Sequence, residues 1–453
     1  MAAMTAIPLA AAAIAQLEAQ GVDAVIGTVV NPAGLIQAKT VPIRRTNTFA
    51  EPGFGASPVW NVFAIDQTGI AFTDDAGVVG DQRIRIDLSA LRIIGDGMAW
   101  APGALFGQDG TPFAGCARAT LSRIEAALAE ADIEAVVGHE IEFVLVHPDG
   151  SRLPSTLWAQ YGLAGVLEHE AFIRDVTAAA AASGVGIEQF HPEYGANQFE
   201  ISLTPLSPVA AADQLVLTRM IIGRVARRHG LRVSLSPAPF ADGVGSGAHQ
   251  HFSLIASTGP LFSDGTGARG MTTAGENALA GLLRGLPEAH GVLCGSIVSG
   301  LRMKPGNWAG AYACWGSENR EAALRFVNAG PAKPYGGNVE VKVIDPSANP
   351  YFASATVLGL ALDGIKQRAV LSPETTVDPG TLSDSERADA GIVQLPSRQS
   401  EAIAALDNSE KLRTILGDLA VDATVAVRRL EDERYGDLRP EQLAEKFRMA
   451  WSV

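Results

Sequence analysis

The sequence predicts an α+β protein built of two units, a small N-terminal one over residues 1–108 and a larger C-terminal one over residues 109–453. Three observations predict it. Short β-rich runs and turn signals alternate through the first hundred residues after a single helical segment. Turn residues then cluster at 100–112, ahead of a long helical pattern at 117–131. Beyond that point, runs with an apolar opposite face carry polar pairs two residues apart, as strands curved around one polar cavity would. The expected architecture there is the inside of a half-barrel.

The opening residues 1–12 are apolar, but they lack a basic stretch and run on into Ile14-Ala-Gln-Leu-Glu18 with helical spacing, so a helix is expected rather than a secretory signal. Strands are expected at 22–30, 34–41, 62–65 and 69–72. Glu51-Pro-Gly-Phe-Gly-Ala-Ser-Pro58 is too long for a tight turn and is expected to be a loop available for function. In the larger unit, helices are expected at 210–228 and 276–283, with a charged helical stretch over 400–450. There is no internal repeat.

Lys plus Arg is 35 and Asp plus Glu is 49, a formal charge of -14 that repels a phosphate backbone, so nucleic acid is not an expected partner. Three cysteines without Cys-x-x-Cys or Cys/His pairing form neither a disulfide framework nor a thiolate zinc site, and a cytoplasmic location is expected. No stretch approaches 18 uninterrupted apolar residues, which speaks against a membrane span.

The chemistry lies in the polar pairs. Glu140 and Glu142 share one face of an otherwise apolar run at 135–146, where two like charges call for a counter-cation. Glu200 lies among the apolar Phe199, Ile201 and Leu203, and Glu193 precedes it in a glycine-containing bend. Gly245-Ser-Gly-Ala-His249-Gln-His251 is a glycine loop entering a strand with both imidazoles on one face, and Glu340-Val-Lys342 repeats the spacing with an acid and a base. Five carboxylates and an imidazole suit magnesium or manganese, and six ligands are too many for one magnesium, so two or three ions are expected. With Arg302, Arg320 and Arg325 nearby in sequence, the combination points to phosphoryl transfer from a nucleotide.

The ordered series Glu140-x-Glu142, Glu193, Glu200, Gly245-Ser-Gly-x-His249-x-His251, Arg302-x-x-Pro-Gly306, Asn319-Arg320-x4-Arg325 and Glu340-x-Lys342, ending in Asp345-Pro-Ser-Ala-Asn-Pro-Tyr351, resembles the glutamine synthetase superfamily over nearly the whole chain. The resemblance implies a β-grasp N-terminal domain, a catalytic bowl of antiparallel strands, and a homo-oligomer of two stacked hexameric rings with active sites between subunits. It implies that Glu142, Glu193 and Glu200 hold one metal ion, and that Glu140, His249 and Glu340 hold the ion on the ATP phosphates. Glu188 matches a ribose contact and Ser253 an adenosine contact; Gly245, His251, Arg302, Arg320, Arg325 and Lys342 match binders of glutamate and the phosphoryl group. The implied reaction is phosphorylation of the glutamate γ-carboxylate by ATP, then attack of an amine.

Two acids that hold ammonium in glutamine synthetases are missing: the aligned positions are Gly55 and Trp308. A vacated space and a flat apolar wall suit an organic amine. The expected activity is therefore γ-glutamylation of a primary monoamine such as ethanolamine, an alkylamine or an arylamine. The alternatives are glutamine synthesis from ammonia, with Glu318 or Asp66 replacing the lost acid, and a γ-glutamylpolyamine synthetase. Val244 stands where the family has Asn, and Lys342 where it has Arg. Lys333 is a further candidate for the nucleotide phosphates, and Val393 replaces the tyrosine that bacterial glutamine synthetases nucleotidylate.

Overall fold

A computed structural model of the chain describes residues 11–155, 157–331 and 336–453; Lys333 and residues 1–10 lie outside the described residues. The first sheet holds β1 (Ala24–Val30), β2 (Ile36–Pro42), β3 (Phe54–Ala56), β4 (Gln82–Ile86), β5 (Arg92–Gly95) and β6 (Met98–Phe106) in the order β2-β1-β6-β4-β3, with β5 paired to β6. Helices α1 (Ala11–Ala19) and α2 (Thr46–Ala50) accompany it.

Three expectations change here. Residues 62–65 and 69–72 are not strands: Asp66 Oδ1 accepts the backbone N–H groups of Thr68 and Gly69, closing a turn that leaves one antiparallel bridge, Phe63 to Ile70. The stretch 51–58 is not all loop, because β3 pairs antiparallel with β4. The turn-like residues from 100 onward run through buried β6, parallel to β1 on one side and antiparallel to β4 on the other. Gly103 belongs there because a Cβ would lie 2.9 Å from the Thr28 carbonyl oxygen. Crowding by neighbouring strands, invisible in local composition, selected the glycine.

The second sheet has ten strands: β7 (Ile133–Val146), β8 (Ile187–Pro192), β9 (Gln198–Leu203), β10 (Arg232–Ser234), β11 (Gln250–Ala256), β12 (Gly259–Pro260), β13 (Tyr312–Ser317), β14 (Ala322–Val327), β15 (Asn338–Val341) and β16 (Val393–Gln394). Their order is β16-β13-β14-β15-β11-β7-β9-β8, with β10 on β7 and β12 on β11. All pairs are antiparallel except β13 with β14, which is parallel. This is the curled half-barrel, departing from the all-antiparallel expectation at that one pair.

Helices cover its apolar face. After α3 (Ala117–Glu130), α4 (Leu163–Glu168) and α5 (Glu170–Ala182), the long α6 (Pro208–Arg228) starts with proline at its first position, where no N–H is needed. Helices α3 and α6 lie on β7. Next come α7 (Thr273–Leu293), the single turn α8 (Ser299–Arg302) and α9 (Pro350–Gln367). Helices α7 and α9 cross at Gly281 and Gly364, where a Cβ on Gly281 would lie 2.4 Å from the Gly364 Cα. Four helices, α10 (Asp384–Asp389), α11 (Gln399–Asp407), α12 (Glu410–Leu416) and α13 (Asp418–Tyr435), then α14 (Pro440–Phe447), complete the shell, as the charged C-terminal pattern predicted.

Buried polar groups tie the two sheets together. Arg118 on α3 bridges Asp213 on α6 and Asp87 just beyond β4, and the Tyr351 hydroxyl donates to Asp213 at 2.7 Å. Asn349 accepts the Tyr351 and Phe352 N–H groups at the start of α9, and its amide donates to the carbonyls of Val30 and Asn31. No helix among the described residues is long and apolar enough to cross a membrane.

Candidate active site

Strand register assembles the site. Glu142 on β7 lies opposite Glu200 on β9, and Glu140 opposite Ser202. On the other flank β7 pairs with β11, whose His251 lies opposite Glu340 on β15, and Arg325 on β14 faces Glu340 in turn. Directly opposed residues have Cβ atoms about 5 Å apart, so alternation on five neighbouring strands brings these side chains to one surface. They line a cavity of about 850 Å³, together with Glu193, Gly245, His249, Arg302, Arg320, Lys342 and Trp308.

Among the described residues, three groups of potential ligand atoms gather within 4.8 Å: Glu140, His249 and Glu340; Glu142, Glu200 and His249; and His191, Glu193 and Glu200. The first coincides with one expected ion set. The other expected set, Glu142, Glu193 and Glu200, is divided between two groups that share Glu200, and each adds an imidazole. The donor set is oxygen-rich and acidic, so the residues fit hard divalent cations.

The electrostatics agree. Burial first, and then the Glu142 charge, raise the Glu193 carboxyl to about 7. Burial, reinforced by the Glu140 charge, raises Glu200 to about 8, while the hydrogen bond that the His191 imidazole donates to Glu200 is the main cause that lifts His191 to about 9. His191 Nε2 and Glu200 Oε1 are 3.2 Å apart, so this pair keeps a proton near neutrality. For Glu340, burial acts to raise the carboxyl, but the Lys342 ammonium and the two imidazoles hold it well below the usual range.

This sets a pH dependence with a definite sign. Raised carboxyls keep their protons in the folded, metal-free chain up to about 7 and 8, so a cation must displace them. The affinity for Mn2+ is expected to rise from pH 6 to pH 8 by on the order of tenfold per pH unit for each proton the cation displaces. The same raised values weaken the metal-free fold as pH climbs from the ordinary carboxylate range towards 8, so the increase in Tm on adding Mn2+ should be larger at pH 8 than at pH 6. Calorimetry and thermal melts at both pH values check this; equal affinities would refute it.

The cationic side chains differ in freedom. Arg302 at the end of α8 is buried, its fork donating to the carbonyls of Val343 and Lys342 at 3.0 and 2.8 Å, with His249 Nε2 3.3 Å away. Arg325 is held by Glu340 and Glu318, Lys342 by Glu340, and Arg320 is exposed at the cavity wall. His251 Nδ1 lies 2.8 Å from Asn338 Oδ1. Gly245 is needed where it stands: a Cβ would lie 2.7 Å from Arg302 Cγ and 2.9 Å from the Pro237 carbonyl. Val244 beside it is exposed in the cavity.

A second cavity of about 380 Å³ adjoins the first, sharing Glu140, His251 and Asn338 with it. Glu188 and Ser253 line it, with Val136, Leu203, Pro205 and Ile255 as apolar walls. The Glu188 carboxylate accepts from Thr204 at 2.6 Å, and Ser253 donates to the Gly337 carbonyl at 2.9 Å.

The amine-pocket residues separate. Trp308 stands 47 % exposed in the large cavity, with its ring 6.0 Å from Tyr194. Gly55 lies on β3 opposite Arg83, against Asp81, outside the residues that line this cavity. Within one chain the two are not brought together. Asp66 is committed elsewhere: Arg434 and Tyr435 donate to it, and although burial acts to raise its carboxyl, these hydrogen bonds lower it to about 2. Glu318 is paired with Arg325.

Sequence reasoning missed His191, Tyr194, Gln198 and Glu321. His191-Pro-Glu193 has the same spacing of two as the other pairs, and that signal was available. Gln198, which donates to Glu142, Gly245 and Ser246, carried none.

Residues 114–446 match the glutamine synthetase catalytic-domain family. The chain belongs to the glutamine synthetase family. It is an ATP-dependent ligase of that family, whose members use divalent metals. A curated γ-glutamylpolyamine synthetase of Streptomyces coelicolor is 41 % identical over 421 residues, covering 91 % of this chain and 90 % of that protein. A glutamine synthetase of Pyrococcus abyssi is 28 % identical over 410 residues, covering 89 % and 88 %. Among solved structures, a glutamine synthase homolog superposes with a TM-score of 0.85 at 28 % identity, covering 95 % of this chain and 99 % of that one. GmaS in complex with ADP does so at 0.82 and 25 %, covering 94 % and 96 %.

Proposed function

We propose that this glutamine synthetase family member joins the γ-carboxylate of glutamate to a primary organic monoamine. In this reading ATP occupies the two adjoining cavities, with its ribose at Glu188, its adenosine at Ser253 and its phosphates near Glu140, His249 and Glu340. Divalent cations on the carboxylates would offset the charge of the triphosphate and of the phosphoryl group in flight. Arg320 and Arg325 face that group as guanidinium forks. Gly245, His251 and Lys342 orient glutamate, backed by Arg302, whose fork holds the Val343 and Lys342 carbonyls, and the γ-carboxylate oxygen attacks the γ-phosphorus as ADP leaves. The amine nitrogen then attacks the γ-carbonyl carbon, phosphate leaves with the C–O bond pair, and the amine gives up a proton. Excluding water keeps the acyl phosphate from hydrolysing.

The observation that carries the monoamine reading is the aromatic wall of Trp308 and Tyr194 in a cavity whose buried carboxylates gather in groups able to hold cations. Such a wall packs on carbon and accepts an ammonium over its face. The second reading is a polyamine acceptor, favoured by the 41 % identity to a γ-glutamylpolyamine synthetase. The same proposal divides the chain at 108/109 into β-grasp and catalytic domains and places Gly55 of a neighbouring copy against the amine site, in a double hexameric ring.

The test is phosphate release by purified enzyme with glutamate, ATP and Mg2+ or Mn2+ over ammonium, ethanolamine, alkylamines, anilines and polyamines. An organic monoamine is expected to exceed ammonium in kcat/KM by at least about tenfold, on the order of 1.4 kcal/mol of differential binding. Ammonium surpassing every organic amine would overturn the reading, and a polyamine in first place selects the second one.

A further inference from the structure

We propose that Glu321, a residue that does not itself line the cavity, is the positioning residue for amine selectivity, because its carboxylate locks the 306–308 turn that presents Trp308 to substrate. The inference rests on the organic-amine reading above.

The geometry is specific. Glu321 is 6 % exposed, at the start of the segment leading into β14. One carboxylate oxygen accepts the Trp308 N–H at 2.8 Å and the other accepts the Gly306 N–H at 3.3 Å. Both donors belong to residues in the left-handed region, Gly306 at φ 77° and Trp308 at φ 54°. A side chain as large as tryptophan adopts that conformation only where its surroundings compensate for the backbone strain. A charged acceptor on each side of the turn is such a compensation. Glu321 is in turn held by Asn319, whose side-chain oxygen accepts the Glu321 N–H at 3.1 Å and whose amide donates to the carbonyls of Thr375 and Val377, each at 2.9 Å.

The locked turn decides which side of the cavity the indole reaches. It meets Tyr194 edge to face, at 71° between the ring planes, and the Tyr194 backbone N–H donates to the Glu193 carboxylate at 2.8 Å. The aromatic wall is thus tied at one end to the cation site and at the other to Glu321. Without the two acceptors the turn is free to relax towards ordinary φ values, and the wall opens. A nucleophile that makes no use of the wall is unaffected.

The experiment compares Glu321→Gln, Trp308→Ala, the double variant and Gly306→Ala, using the best organic amine from the panel and hydroxylamine, a nucleophile too small to span the wall. Gly306→Ala disturbs the same turn without touching Glu321, because a Cβ there has no atom within 4 Å but sits at positive φ. Glu321→Gln and Gly306→Ala are expected to raise KM for the organic amine by about 2- to 30-fold, the span of a lost cation–π contact. KM for hydroxylamine, glutamate and ATP should stay within about twofold, and Glu321→Gln should add nothing to Trp308→Ala. A parallel rise in KM for hydroxylamine and glutamate, or a full additional effect in the Trp308→Ala background, would overturn the inference. If Glu321→Gln does not fold, Gly306→Ala decides on the same criterion. A wild type that prefers ammonium defeats the organic-amine reading itself; a wild type that prefers an organic amine, with Glu321→Gln neutral, defeats only this inference.

Discussion

Glu340→Gln is expected to lower kcat/KM by at least roughly 100-fold, the scale of losing a preorganised charge at a phosphoryl-transfer site, whichever amine is supplied. The side chain is 2 % exposed and works in three directions. It accepts from Arg325 at 2.9 Å and from Lys342 at 3.2 Å, and it lies 3.4 Å from His249. Glutamine keeps the shape but removes the charge, and it turns an NH2 towards one of two cations that can only donate. The candidate ion group loses an anionic ligand, and Arg325 is left without its buried partner. Folding should weaken as well, by up to about 3–5 kcal/mol, since a buried cation becomes uncompensated. Activity at saturating Mn2+, with a melt to set the assay temperature, separates the two losses. Wild-type kcat/KM in a folded Glu340→Gln would refute the assignment. Glu374→Gln is the control: its Arg269 partner is exposed, and surface pairs of this kind contribute little to stability.

The second large effect concerns selectivity. Trp308→Glu is expected to reduce the ratio of kcat/KM for an organic amine to that for ammonium by about 10- to 100-fold. Two terms act in the same direction. The indole face that covers carbon or an ammonium group is lost, and a carboxylate that attracts a small hydrated cation is gained. The backbone conformation at 308 costs glutamate no more than it costs tryptophan, so the turn held by Glu321 should survive. Competition between ammonium and the organic amine, read by mass spectrometry of the products, measures the ratio directly. An unchanged ratio would show that Trp308 stands beside the amine route and takes no part in it.

The acidic and imidazole face of the cavity was legible because strand alternation is local. Once 135–146 reads as a strand, Glu140 and Glu142 must share a side, and the same holds for His251 with its neighbours and for Glu340 with Lys342. The strands of the first sheet were less legible. Hairpin 63–70 shrank to one bridge because Asp66 caps its own turn, and β6 reads as turns because packing against β1 and β4 demanded glycine there. His191 was missed although its spacing from Glu193 matched the other pairs. Tyr194 and Glu321 were missed because their partners come from elsewhere in the chain: Trp308 meets Tyr194 from more than a hundred residues away.

By itself the sequence determined the fold class, the acidic and imidazole side chains that line the cavity and the absence of acids at positions 55 and 308, since period, motif order and residue identity are properties of the chain read in one dimension. Only the tertiary structure decided which strands stand side by side, and hence that Glu200 is shared between two ligand groups, that Arg302 spends its fork on backbone carbonyls, and that Gly55 lies outside the cavity of its own chain. The physical reason is that distances of a few ångströms between residues far apart in sequence depend on register and helix packing, and neither is written in local composition.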